Sequence, residues 1–131
     1  MEDPAAVHEL TIDVDPIQVR EARNFFAKVA AHVEIEPEHV TDGQLALTEL
    51  VTNAVRHAGP PITVRAYVLA DALRVEVTDP NPAPPVIVDA DLTQTGGRGL
   101  TLVQAIAAAW GYETHPARAG KTVWFTLPIR T

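Results

Sequence analysis

Between Leu47 and Ala58 the chain carries apolar residues at a helical period, and this stretch constrains the fold more than any other. Leu47, Leu50, Val51, Ala54, Val55 and Ala58 form one stripe along a helix. A stripe of this kind is stable only when buried against a second layer. Glu49, Asn53 and Arg56 recur on the opposite side at i, i+4 and i+7, with His57 flanking them. The ordinary reading of such a polar row is a solvated face. The row also sets a carboxylate and an amide one turn apart. Such a pair can hold a hydrated Mg²⁺ and accept a proton beside it, a combination suited to phosphate chemistry.

The rest of the chain supplies the second layer. Leu10, Ile12 and Val14 alternate with Glu9, Thr11 and Asp13, which predicts a strand with one buried face. Asp15-Pro16 then opens a helix, with Asp15 as N-cap and Pro16 at the first helical position. Its apolar face runs from Val19 through Ala22, Phe25, Phe26, Val29, Ala30 and Val33. Pro37 interrupts the pattern, and a second helix is expected from about Asp42 to Ala58, stopped by Gly59-Pro60-Pro61. Ile62, Val64, Ala66 and Val68 share one parity and Leu73, Val75 and Val77 another, with a short link at Asp71-Ala72, so a hairpin follows.

Pro80 to Thr95 is a long proline-rich loop without periodicity, the kind of segment that serves as a lid or binding loop. A third helix is expected from about Leu100 to Trp110, with Trp110 packing at its end. Strands at about Thr114 to His115 and Thr122 to Leu127 close the chain. The order predicts an α+β fold, a two-layer α/β sandwich with helices on one face of a mixed, mainly antiparallel sheet. No linker divides the 131 residues, so a single domain spanning 1–131 is expected.

Composition narrows the partners. A net charge of −7 argues against a nucleic-acid surface. With no cysteine there is no disulfide framework, thiolate nucleophile or Cys-ligated zinc, as expected of a cytoplasmic protein. The five histidines show no metal-site spacing. The N-terminus lacks the pattern of a signal peptide, and the Leu100–Trp110 stretch is too short for a bilayer, so no membrane association is expected.

Two further features mark a site. Asp79 continues the inward parity of Leu73, Val75 and Val77, so it points toward the helix layer at a strand end. A buried carboxylate there needs a donor, either a cap or a ligand amine such as that of adenine. The run Gly96-Gly97-Arg98-Gly99-Leu100-Thr101 precedes a helix. Its glycines let backbone N–H groups approach an anion, the helix end adds a favourable dipole, and Arg98 adds a charge-assisted contact. Most glycine clusters before helices are turns, and this one is neither a P-loop nor a Rossmann fingerprint.

Taken together, Glu49-x3-Asn53 on a helix, Asp79 at a strand end, and Gly97-Arg98-Gly99-Leu100 after a lid resemble the GHKL ATPase superfamily, whose members have the Bergerat fold. The likeness is strongest to single-domain anti-sigma-factor kinases of the actinobacterial type and covers roughly residues 8–128. Leu47 to Ala58 looks like the N-box, Val75 to Asp79 like the G1 box, Gly97 to Leu100 like the G2 box, and Gly120 to Phe125 like the closing strand. The resemblance implies ATP and Mg²⁺ as cofactors. Asn53 would ligate the metal, Glu49 would be the general base on an attacking serine or threonine hydroxyl, and Asp79 would accept from the adenine amine. Backbone amides near Gly97, Gly99 and Leu100, with Arg98 and Thr101 close by, would hold phosphate. Thr122 would lie on the adenine side.

By the same resemblance the partners are a sigma factor and an anti-sigma factor antagonist, with a homodimer formed through the sheet. One departure bears on affinity. The G1 box has glycines two and four residues after its aspartate, and Asn81 and Ala83 stand there among Pro80, Pro82, Pro84 and Pro85. Side chains and fixed φ angles predict a stiffer lid and weaker nucleotide binding. Three functions follow: an ATP-dependent serine/threonine kinase, a catalytically weak module that sequesters a partner, or a detached ATPase module serving a phosphorelay histidine.

Overall fold

A computed structural model describes residues 8–12, 16–59, 61–85, 99–115, 117 and 119–129. The elements run β1 (His8–Ile12), α1 (Pro16–Val33), α2 (Pro37–His57), β2 (Ile62–Leu69), β3 (Ala72–Asp79), α3 (Gly99–Ile106), β4 (Ala109–His115) and β5 (Gly120–Pro128). The sheet has five strands in the order β1-β2-β3-β5-β4. Every pairing in it is antiparallel, so the expected mainly antiparallel sheet is realised without a parallel pair among the described residues.

The inward parities place the core. Ile62, Val64 and Ala66 of β2, Leu73, Val75 and Val77 of β3, and Val123, Phe125 and Leu127 of β5 are all buried against the helix layer. Phe26 and Val29 of α1 and Leu47, Leu50, Val51 and Ala54 of α2 cover them. Val68 breaks its expected pattern and is exposed, because β2 runs past the helix layer toward its turn at Ala70 and Asp71. Helix α2 lies between α1 and α3. Its close approach to α1 depends on Gly43, where a Cβ would overlap the Phe26 ring.

Three boundaries differ from the sequence reading. Helix α2 begins at Pro37 rather than near Asp42. Glu34, at φ +58°, reverses the chain after α1, and Pro37 is preset for a first helical turn. Helix α3 ends at Ile106 rather than Trp110. Trp110 belongs to β4 and stands opposite Phe125, so the strand begins at Ala109, well before Thr114. The alanine run at Ala107 to Ala109 favours a helix, but pairing with β5 overrides that propensity. The N-cap expected at Asp15, and Asp13 and Val14 of the first expected strand, lie outside the described residues.

Candidate functional site

Helix α2 presents Glu49 and Asn53 on successive turns, both half-buried, while Arg56 and His57 are exposed. The neighbouring Leu47, Leu50, Val51 and Ala54 anchor the helix in the core, so the polar pair rides on a rigid element. Helix α3 packs on α2 and starts at Gly99, which puts the backbone of Gly99, Leu100 and Thr101 in its first turn. Backbone N–H groups of a first turn have no partners within their own helix. Gly97 and Arg98 lie outside the described residues.

Asp79 ends β3 and faces the helix layer, as its parity predicted, and its side chain is 3% exposed. Register places it opposite Lys121 of β5, whose side chain is 8% exposed. Lys121 Nζ lies 3.1 Å from Asp79 Oδ1 and 3.0 Å from Oδ2. The backbone N–H of Asn81 donates to Oδ1 at 2.8 Å. Asn81 then ties the loop down. Its carbonyl accepts from Lys121 Nζ at 3.2 Å, its amide donates to the His57 carbonyl at 3.2 Å, and its side-chain oxygen accepts from the Ala83 N–H at 2.9 Å. The loop after β3 is thus fastened to the C-terminal end of α2. Gly120 lets β5 come this close, because a Cβ there would meet the Asp79 carbonyl oxygen.

The other face of the sheet carries a separate polar group. Glu76 is buried and accepts from Tyr67 Oη at 2.9 Å, Arg74 Nε at 2.9 Å and Arg65 Nη1 at 3.4 Å. The Arg74 guanidinium also lies 4.2 Å from the Trp124 ring centroid, so the indole is partly covered. Gly111 makes room for that indole, since a Cβ there would sit 2.7 Å from Trp124 Cζ2. Burial, and then the hydrogen bond to Glu76, raise the Tyr67 phenol above its ordinary pKa. Thr78 and Thr122 share a hydrogen bond of 2.8 Å, and His115 Nε2 lies 2.9 Å from Thr122 Oγ1. A cavity of about 320 Å³ opens on this face, lined by Thr63, Arg65, Glu76, Thr78, Glu113, His115 and Thr122.

The expected site residues therefore divide. Glu49, Asn53 and the start of α3 lie in the helix layer, and Asp79 points toward that layer. Thr122 does not join them, because its hydroxyl faces the opposite side of the sheet. The parity of β5 explains the correction. Lys121, Val123, Phe125 and Leu127 alternate inward, so Thr122 must point outward. The same parity marks Lys121, which the sequence reading passed over, as an inward-facing charge. Among the described residues no cluster of three His, Asp or Glu side chains is placed to hold a metal ion. No helix among them is long and apolar enough to cross a membrane.

Against known proteins, the model of the histidine kinase-like ATPase domain matches residues 12–127. An uncharacterized protein of Streptomyces coelicolor, SCO4941, is 43% identical over 77 residues, which cover 55% of this chain and 73% of that protein. The crystal structure of the RsbU and RsbW domains of Rv1364c from Mycobacterium tuberculosis superposes with a TM-score of 0.70 at 21% identity, covering 97% of this chain. The chain spans 34% of that structure's length. The histidine kinase domain of the E. coli osmosensor EnvZ gives a TM-score of 0.51 at 20% identity, covering 100% of this chain and 92% of that one. Likeness at these structural identities concerns the fold alone.

Proposed function

The chain belongs to the histidine kinase-like ATPase domain family, and from that membership we propose that it binds ATP with Mg²⁺ and acts as an anti-sigma regulatory factor. In this reading it is a serine/threonine protein kinase that phosphorylates an anti-sigma factor antagonist and sequesters a sigma factor. The observation that carries the reading is the half-buried pair Glu49 and Asn53 on α2, in a fold that also holds the buried acceptor Asp79 at a strand end.

The residues suit the ligand. Asn53 would hold Mg²⁺ through its side-chain oxygen, and the ion would keep most of its waters, as Mg²⁺ sites do. Asp79 would accept from the exocyclic amine of the base. The first-turn amides of α3 would receive phosphate oxygens. ATP supplies the phosphoryl group when bound. Glu49 would take the proton of an attacking hydroxyl, and the rest of the task is positioning.

Calorimetric titration with ATP, with and without Mg²⁺, is the first test, followed by transfer of phosphate to the cognate antagonist. Glu49→Ala is expected to slow transfer by about 10²–10⁴-fold. Transfer at the wild-type rate would remove Glu49 from the mechanism. Asn53→Ala is expected to abolish Mg²⁺-dependent binding with an unchanged circular dichroism spectrum. One observation favours a second reading, a module that sequesters its partner without turnover. Lys121 already engages Asp79, and Asn81 pins the loop that follows. Absence of ATP binding at millimolar concentration would put that reading first.

A further inference from the structure

We propose that Lys121 sets the base selectivity of this site by filling Asp79, a step that rests on the nucleotide-binding reading above. An ammonium has three N–H donors. Lys121 Nζ has three oxygens around it: Asp79 Oδ1 at 3.1 Å, Asp79 Oδ2 at 3.0 Å and the Asn81 carbonyl at 3.2 Å. A carboxylate has about four acceptor positions, two on each oxygen. Oδ1 receives both the Asn81 N–H and Lys121, and is filled. Oδ2 receives Lys121 alone among the described residues. Among the described residues Asp79 thus keeps one acceptor position, on Oδ2, and the residue is 4% exposed.

Bases differ in how many donors they bring to such a group. The edge of adenine offers one exocyclic amine beside a ring nitrogen that accepts. Guanine offers a ring N–H and an amine side by side, and a bare carboxylate pairs with both through its two oxygens. Lys121 withdraws Oδ1 from that exchange. Adenine needs one acceptor and finds it. Guanine would leave a donor unpaired in a buried site, and sites of this kind reject ligands that strand a polar group. Lys121 touches no base in this scheme. It acts through Asp79 as a positioning residue.

The test compares MgATP and MgGTP by calorimetry on the wild type and Lys121→Thr. The threonine frees Asp79 to present both oxygens. The ratio of ATP to GTP affinity is expected to fall by about tenfold or more, because GTP binding improves. A purely structural role for Lys121 would weaken both nucleotides together and leave the ratio unchanged. An unchanged ratio in folded Lys121→Thr overturns the inference and leaves the nucleotide reading standing. A wild type that binds GTP as tightly as ATP overturns it as well. A wild type that binds neither nucleotide overturns the nucleotide reading, and the inference falls with it. Should Lys121→Thr fail to fold by circular dichroism, Lys121→Gln gives the same readout, since its one amide group cannot fill both carboxylate oxygens and the backbone carbonyl.

Discussion

Strand β3 carries two buried carboxylates, Glu76 and Asp79, and they draw their partners from different places. Glu76 faces away from the helices and lines the cavity on the far face of the sheet. Tyr67 and Arg74 donate to one of its oxygens and Arg65 to the other, all from β2 and β3 themselves. Asp79 faces the helices at the strand's last position. Its donors among the described residues come from β5 and from the loop that leaves β3. The difference teaches a general point about buried charge. A carboxylate in mid-strand can be held by its own strand and a ladder neighbour alone. One at a strand end is held in part by the loop that follows, so what reaches it depends on how that loop is fastened.

The largest expected effect removes the strand-end carboxylate. Asp79→Ala leaves the Lys121 ammonium buried with, among the described residues, only the Asn81 carbonyl as acceptor. Stranding one member of a buried ion pair costs about 3–5 kcal/mol. Urea denaturation should show that loss, and calorimetry should show no nucleotide binding. A protein as stable as wild type would mean that Lys121 finds water or another partner, and the contrast between a sheet-held and a loop-held carboxylate would break.

A smaller effect is expected at the mid-strand carboxylate. Glu76→Gln keeps the shape but turns an amide N–H₂ toward donors that need an acceptor. The cost should be about 1–3 kcal/mol, the range for leaving a buried polar group unsatisfied. Nucleotide affinity in the folded protein should not change, because Glu76 and Asp79 lie on opposite sides of the sheet. A loss of affinity with the fold intact would show that the two carboxylates are coupled through β3, and the comparison would have to be redrawn.

Much of this contrast is legible in the sequence. The inward parity of Leu73, Val75 and Val77 carries on to Asp79, and the structure keeps it there. The apolar stripe of α2 likewise fixed which side Glu49 and Asn53 would take. The partners were harder to read. The Asp79–Lys121 pair depends on the register of β3 against β5, strands separated in sequence by α3 and β4. Period-2 alternation says which face a residue takes, not which residue stands opposite it. Trp110 was misplaced for a related reason. Local helix propensity ran through Ala107 to Ala109, while the competing pull came from β5, later in the chain. The glycine run before α3 is plain in sequence, but Gly97 and Arg98 lie outside the described residues, so their part in the site rests on the resemblance alone.

The smallest effect tests one of the three donors that Glu76 has among the described residues. Tyr67 is half-buried and donates to Glu76 through a phenol whose pKa is raised, first by burial and then by that hydrogen bond. Tyr67→Phe should cost about 1 kcal/mol near neutral pH, below the range of about 1.5–3 kcal/mol for a bond to a charged acceptor, because water competes at a half-buried site. The pH dependence has a definite sign. The phenol can donate only while protonated, and its folded pKa lies above the unfolded value of about 10. Its contribution is therefore complete below the unfolded pKa and is lost as pH rises through the folded one. Denaturation of wild type and Tyr67→Phe across this range should show the stability gap constant at neutral pH and closing in alkali, since phenylalanine does not titrate. A gap that stayed open in alkali would mean that Tyr67 stabilises the face by packing alone. Glu76 would then rest on its two arginines, much as Asp79 rests on Lys121 and the Asn81 N–H.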